Sequence, residues 1–371
     1  MAEIKNKTLN LWFTACAHVH SDLKHNRRSL AEAIEQSEDG GAEGGPPFDW
    51  DAMFFLGDFT GTHYAPTETE AGPVLDQLNA GRRHTRQQIY AIAGNLDASG
   101  PDEETQWWFR KYIDPAGENP NVSGVINDDR PFPVVGTWER YRVDIGNISL
   151  LMMSDRNDGG MMSDRNDGGP PKGRAEKGGW PAGAITDDTF AWWRAAVENN
   201  DGRILISCAH HMLRDTTTAT GPNEGIQAGY HKKYDDGEGS SYLYWVGDDA
   251  NTNQFEQFLK QQNGKLSFWF GGHTHTFPDD TFGDKGLVEE RWGVAFCNAS
   301  ALTRHHGSFE AATRNEGQPD RSAAPMSRLL TFTEGSNEAL LRCYLHTSDY
   351  APQGWHKPQE RVISLPRPFH W

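Results

Sequence analysis

The chain has 371 residues, enough to bury a sizeable core, and a formal net charge of -17 at pH 7. That acidity argues against a long nucleic acid as partner, because such binding relies on Lys and Arg to neutralise phosphates; only a local positive site for a small anion stays open. No apolar run approaches the roughly 20 residues of a membrane span and the N-terminus lacks a secretory pattern, so the expected location is cytoplasmic.

Short apolar runs alternate with helical spacing along the chain. Leu9 to Cys16 reads as a buried strand, Ser29 to Ser37 as a helix, and Ala52 to Leu56 and Gln88 to Ala93 as further strands. Thr186 to Asn199 is helical, Arg203 to Cys208 a strand, Asn253 to Gln262 helical, and Lys265 to Phe270 and Gly293 to Cys297 strands. The order resembles successive β-α units and predicts an α/β fold. Strand-like runs at Arg328 to Thr333, Ala339 to Leu345 and Arg361 to Leu365 are expected to complete a second sheet packed on the first. Residues 1–371 are expected to form one domain, with inserted loops at about 100–140, 154–183 and 212–250. Met152 to Gly160 reads MMSDRNDGG, and Met161 to Gly169 repeats it letter for letter. Two copies are too few for a solenoid, so the first is expected to continue a strand from Ile148 and the second to loop out. Cys16, Cys208, Cys297 and Cys343 sit singly in apolar runs, which reads as buried, reduced thiols.

Five of these runs end in a polar cluster: His18-Val19-His20, Gly57-Asp58, Gly94-Asn95-Leu96-Asp97, His210-His211 and Gly271-Gly272-His273-Thr274-His275. Ligands placed beyond the carboxyl ends of strands sit where α/β active sites usually form. Imidazole and carboxylate both bind zinc, iron and manganese, and alternate residues leaving a strand can turn toward one ion. His18 with His20, and His273 with His275, have that spacing. Asp58 follows a strand and a glycine, as a bridging carboxylate could. Each piece alone has an ordinary structural explanation, and it is the five together that point to two metal ions.

The combined order resembles the calcineurin-like metallophosphoesterase family over roughly Leu9 to Ser300. That family's pattern is Asp-x-His, Gly-Asp, Gly-Asn-His-Asp or Glu, a strand-terminal His, then Gly-His-x-His. The resemblance implies a four-layer α/β/β/α sandwich of two mixed sheets and a phosphoester hydrolase acting on a small phosphoester. It also implies two divalent or mixed-valence ions, zinc, iron or manganese. His18, His20, Asp58 and His275 would hold the first ion, and Asp58, Asn95, His210 and His273 the second. Between them a water is activated to attack phosphorus. Asp58, Asn95, Asp97 and His211 are the expected catalytic set.

Two departures stand out. With His18 taken at the position of the family aspartate, the site is one negative charge short. Leu96 stands where the family has the histidine that protonates the leaving group, a loss that typically costs about 10² to 10⁴ in rate. A relocated acid from His63, His211, His305 or His306, a metal site with little turnover, and a chain altered at position 96 are the open explanations. His-Val-His-Ser-Asp at 18 to 22 also resembles the opening of the polymerase and histidinol phosphatase family, over five residues only. A metal-stabilised interaction module without turnover is the reading from another class, and oligomeric state is unreadable from the sequence.

Overall fold

A computed structural model describes residues 7–61, 65–99, 103–155, 184–200, 202–221, 244–246, 253–281, 284–303, 324–346 and 353–371. In chain order the strands are β1 (Thr8–Thr14), β2 (Ala52–Phe55), β3 (Ile89–Ala91), β4 (Val134–Gly136), β5 (Arg140–Ile145), β6 (Ile148–Met153), β7 (Ala184–Thr186) and β8 (Ile204–Ala209). They continue as β9 (Tyr244–Val246), β10 (Phe268–Gly271), β11 (Val288–Arg291), β12 (Val294–Asn298), β13 (Met326–Thr333), β14 (Glu338–Leu345), β15 (Gly354–Trp355) and β16 (Arg361–Ser364). Among the described residues, one seven-stranded sheet runs β15-β14-β13-β1-β2-β3 with β16 on β14, and another runs β11-β12-β10-β8-β6-β5-β4. Both are mixed: β1, β2 and β3 are parallel, as are β6, β8, β10 and β12, and antiparallel strands extend the first sheet beyond β1 and the second at both edges.

The two sheets pack face to face through one cluster that includes Leu9, Leu11, Phe13, Phe54, Val143, Leu150, Ile206, Phe270 and Phe332. Phe13 of the first sheet stacks on Phe270 of the second, ring centroids 3.7 Å apart. The outer faces are covered too. Helices α1 (Val19–Lys24), α2 (Ser29–Asp39) and α3 (Glu68–Leu78) lie over the first sheet, where Trp12 points out from β1 to join Ile34, Trp50 and Val74. Helices at Asp187–Glu198 and Asn253–Gln261 cover the second, around Trp193, Phe255 and Trp269. Burial on both faces is why β1, β2, β8 and β10 are apolar without alternation. Two of the helices start on side-chain caps: Thr67 and Glu70 form a capping box on α3, and Thr186 accepts from the Thr189 N–H. The architecture is the α/β sandwich expected from the sequence. Among the described residues, no helix is long and apolar enough to cross a membrane.

The C-terminal strands lie elsewhere than expected. β13, β14 and β16 extend the sheet that starts with β1, and β13 pairs with β1 itself in antiparallel register, Leu11 opposite Leu330. The reason is local: β2 occupies only one hydrogen-bonding edge of β1, and β13 fills the other. The second sheet is built from β4, β5, β6, β8, β10, β11 and β12. Met152 and Met153 do continue the strand from Ile148, while the second copy of the repeat, 161–169, lies outside the described residues.

Candidate metal centre

The parallel strands of both sheets direct their carboxyl ends to one rim, and the polar clusters follow there. β1 leads to Cys16 and His18, β2 to Asp58, β3 to Asn95, β8 to His210, and β10 to His273 and His275. Cys16, His18 and Asp58 adopt left-handed backbone conformations, with φ of 51°, 46° and 65°. Such angles cost of order 1 to 3 kcal/mol each outside glycine and persist where surrounding contacts impose them. Those contacts are visible: the Cys16 N–H donates to Gly57 O at 2.9 Å, the Val19 N–H to Phe59 O at 2.8 Å, and the His20 N–H to Thr60 O at 2.9 Å. Gly94 is required by closeness, since a Cβ there would lie 2.5 Å from the backbone nitrogen of Asp58.

Two groups of potential ligands result. The thiol of Cys16, His18, Asp58 and His275 present ligand atoms all within 4.8 Å of one another; His210, His211 and His273 form a second such group. One oxygen joins them. Asp58 Oδ2 is 3.6 Å from His18 Nε2 and 3.1 Å from His210 Nε2, while Asp58 Oδ1 accepts the Leu96 N–H at 2.9 Å. His210 Nδ1 lies 2.5 Å from the Leu56 carbonyl oxygen, which can only accept. That contact fixes a proton on Nδ1 and turns Nε2, the nitrogen that can release its proton to a cation, toward Asp58 and His273 Nδ1, 3.3 Å away. The Oδ1 of Asn95 is buried and, among the described residues, no donor reaches it.

The electrostatics suit cations. Burial alone would raise the Asp58 carboxyl, but His210 and His18 override it and hold it well below the usual carboxylate range. Burial would lower His210, yet the Asp58 charge lifts it to about 9 in the metal-free chain. Burial, with neighbouring imidazoles, holds His275 and His211 well below the ordinary histidine value, so both rings are neutral lone-pair donors. An anion among neutral imidazoles, with a proton on His210 for a cation to displace, is a donor set that fits metal ions.

The structure brings His18, Asp58, Asn95, His210, His211, His273 and His275 to this rim, but not His20. β1 stops at Thr14 and α1 begins at Val19, so residues 16 and 18 are the alternating pair leaving the strand. His20 already sits on the helix, 53% exposed, with Nδ1 3.6 Å from Glu70 Oε1. The pair at the rim is thus Cys16-x-His18, two residues earlier than the His18-x-His20 pair expected. Leu96 is buried, and its carbonyl accepts from Thr60 Oγ1 at 2.9 Å. Asp97 is fully buried and accepts three backbone N–H groups, from Asp58 and Phe59 at 2.8 Å and Gly94 at 2.9 Å. Burial and the Asp58 charge push it up to about 7 against those bonds.

Sequence reasoning missed two neighbours. Cys16 is the free, buried thiol that its apolar run predicts, and it also borders the ligand group, which the run does not reveal. Asp155 follows β6 as the other polar residues follow their strands, and its Oδ2 lies 3.3 Å from His211 Nδ1. The repeat hid it, since the second copy offers an identical Asp164, outside the described residues. Burial and the Asp58 charge raise Asp155 to about 8, against the pull of His210. His211 in turn stacks on His273, ring centroids 3.8 Å apart. His63, His305 and His306 lie outside the described residues.

The sequence profile of the calcineurin-like phosphoesterase family matches residues 9–277, and the chain belongs to that family. Its members are generally phosphoester hydrolases that use divalent metals. The five-residue likeness to the polymerase and histidinol phosphatase family is set aside by this match. Among solved structures, the chain is similar to Vacuolar Protein Sorting 29 from Cryptosporidium parvum at 12% identity, covering 96% of this chain and 98% of that one with a TM-score of 0.32. No curated protein matches the chain.

Proposed function

We propose that this protein is a dinuclear-metal phosphoester hydrolase. His18, Asp58 and His275 hold one cation, and Asp58, Asn95, His210 and His273 hold the other. The observation that carries the reading is Asp58 Oδ2, within 3.6 Å of His18 Nε2 and 3.1 Å of His210 Nε2. Two cations bound there polarise phosphoryl oxygens and lower the pKa of a water toward neutrality.

The chain's own groups divide the rest. The Leu56 carbonyl fixes the tautomer of His210. Asp97 acts as a positioning residue: it ties the loop after β2 to the loop after β3 through backbone N–H groups and touches no substrate. Asp155 orients His211 behind His273. Leu96 offers no proton to the leaving group, so esters with good leaving groups are the favoured substrates.

The test is metal analysis alongside hydrolysis of 4-nitrophenyl phosphate and bis(4-nitrophenyl) phosphate by protein loaded with zinc, iron or manganese. Turnover that is abolished by chelation and by Asp58→Asn is expected. Two bound ions with no hydrolysis of any ester would overturn it in favour of a metal-stabilised interaction module.

A further inference from the structure

Building on the dinuclear reading, we propose that Cys16 is itself a metal ligand, a thiolate standing where the family pattern has a carboxylate, and that it makes the first position a mixed sulfur, nitrogen and oxygen site for a borderline ion such as zinc or ferrous iron. Three observations carry this. Cys16-x-His18 leaves β1 with the spacing of Asp-x-His. The sulfur lies in the same ligand group as His18, Asp58 and His275, 4.0 Å from Asp58 Oδ2, and is fully buried. The backbone at Cys16 is held left-handed by hydrogen bonds on both sides, its N–H to Gly57 O and its carbonyl from the Thr303 N–H at 3.0 Å, so the side chain is directed there at a conformational cost a filler thiol has no need of.

The other cysteines differ. Cys208 and Cys297 share the core between the sheets with Cys16 but lie inside strands, whereas Cys16 lies past the end of β1; Cys343 packs with Leu287, Met326 and Leu345. Among the described residues none of them joins a ligand group.

Charge supplies the consequence. The sequence reading left the site one negative charge short, and a thiolate restores it. Two divalent cations against Asp58 and Cys16 leave a net charge of +2 rather than +3. In the metal-free chain the thiol faces Gly272 O at 3.3 Å; as a cation binds, the thiol proton passes to solvent and sulfur takes the metal as its partner. Soft sulfur then discriminates against magnesium and calcium, which prefer all-oxygen shells.

Cobalt is the reporter. Protein loaded with Co²⁺ is expected to show a near-ultraviolet thiolate-to-cobalt charge-transfer band, and zinc-loaded protein a sulfur scatterer at about 2.3 Å by X-ray absorption. Both signals vanish in Cys16→Asp, which keeps an anionic ligand and retains bound metal, and both persist in Cys297→Ala. Zinc affinity falls in Cys16→Ser by more than the 10- to 100-fold typical of losing an outer-shell partner. Two bound ions with no sulfur signal would overturn the thiolate assignment while leaving the hydrolase reading standing. A sulfur signal without turnover would support the ligand and sink the hydrolase reading.

Discussion

Replacing Asp97 by asparagine separates a positioning carboxylate from one that acts on substrate. Asp97 Oδ2 accepts from the N–H of Asp58 and of Gly94, and Oδ1 from that of Phe59. An amide whose oxygen takes the Oδ2 place keeps the first two bonds and sets its NH₂ against the Phe59 N–H. One buried donor is orphaned, at about 1 to 3 kcal/mol. The amide also removes a buried charge that Asp58 repels, which offsets part of this, so a net loss of about 1 to 2 kcal/mol is expected for Asp97→Asn. Asp97→Ala orphans all three donors and is expected to lose about 3 to 6 kcal/mol. Urea unfolding of chelated protein reads these losses. Zinc titration is expected to show affinity down about 10- to 100-fold for the amide variant, with turnover restored by excess metal. An amide variant of unchanged stability and zinc affinity that lost turnover irrecoverably would refute the reasoning and place Asp97 on the substrate.

Four further outcomes are expected. Leu96→His is expected to raise kcat on esters with poor leaving groups by about 10² or more, with a smaller gain on activated aryl diesters; unchanged rates on both would end the missing-acid argument. Gly94→Ala drives a methyl into Asp58, so calorimetry is expected to show weakened metal binding in a chain still folded by circular dichroism. Burial would raise the Glu38 carboxyl, but the N–H groups of Arg82, His84 and Arg83 and the His84 ring hold it at about 2. Because the folded value lies below the ordinary one, this stabilisation is complete above pH about 4.5 and is lost as pH falls toward 2. Glu38→Gln is therefore expected to flatten the urea-midpoint profile across that window by roughly 2 to 3 kcal/mol. Burial likewise lowers His346 to about 3, so its ring is expected to stay neutral at pH 5 by NMR and to favour the fold increasingly as pH rises from 3 to 6.5.

The parts of the fold legible in the sequence are those buried on both sides. β1, β2, β8 and β10 show as unbroken apolar runs because helices cover one face and the opposite sheet the other. β5 alternates exposed Arg142 and Asp144 with buried Tyr141 and Val143, so a search for continuous apolar runs passes over it. α3 contains Pro73, and only its Thr67-x-x-Glu70 capping box announces it. The position of His20 on a helix is hidden for a related reason. α1 has six residues, too few for a helical period to show, and without it the sequence at His20 reads as the continuation of a strand. Asp58, Asn95, His210, His273 and His275 all follow strand ends as the sequence predicts, because parallel strands carry their polar clusters at one common end.

The ligand groups come from both halves of the sandwich: Cys16, His18, Asp58 and Asn95 follow strands of the first sheet, His210, His273 and His275 strands of the second. Under the proposed function, cations held by these groups would work as a clasp across the seam, resisting any sliding of one layer over the other. At a free concentration 1,000 times the dissociation constant such a clasp adds about 4 kcal/mol to the folded state. Breathing between the layers and grip on the ions would then be one motion, so that substitutions in the Phe13–Phe270 contact would alter metal affinity through the spacing of the two rims.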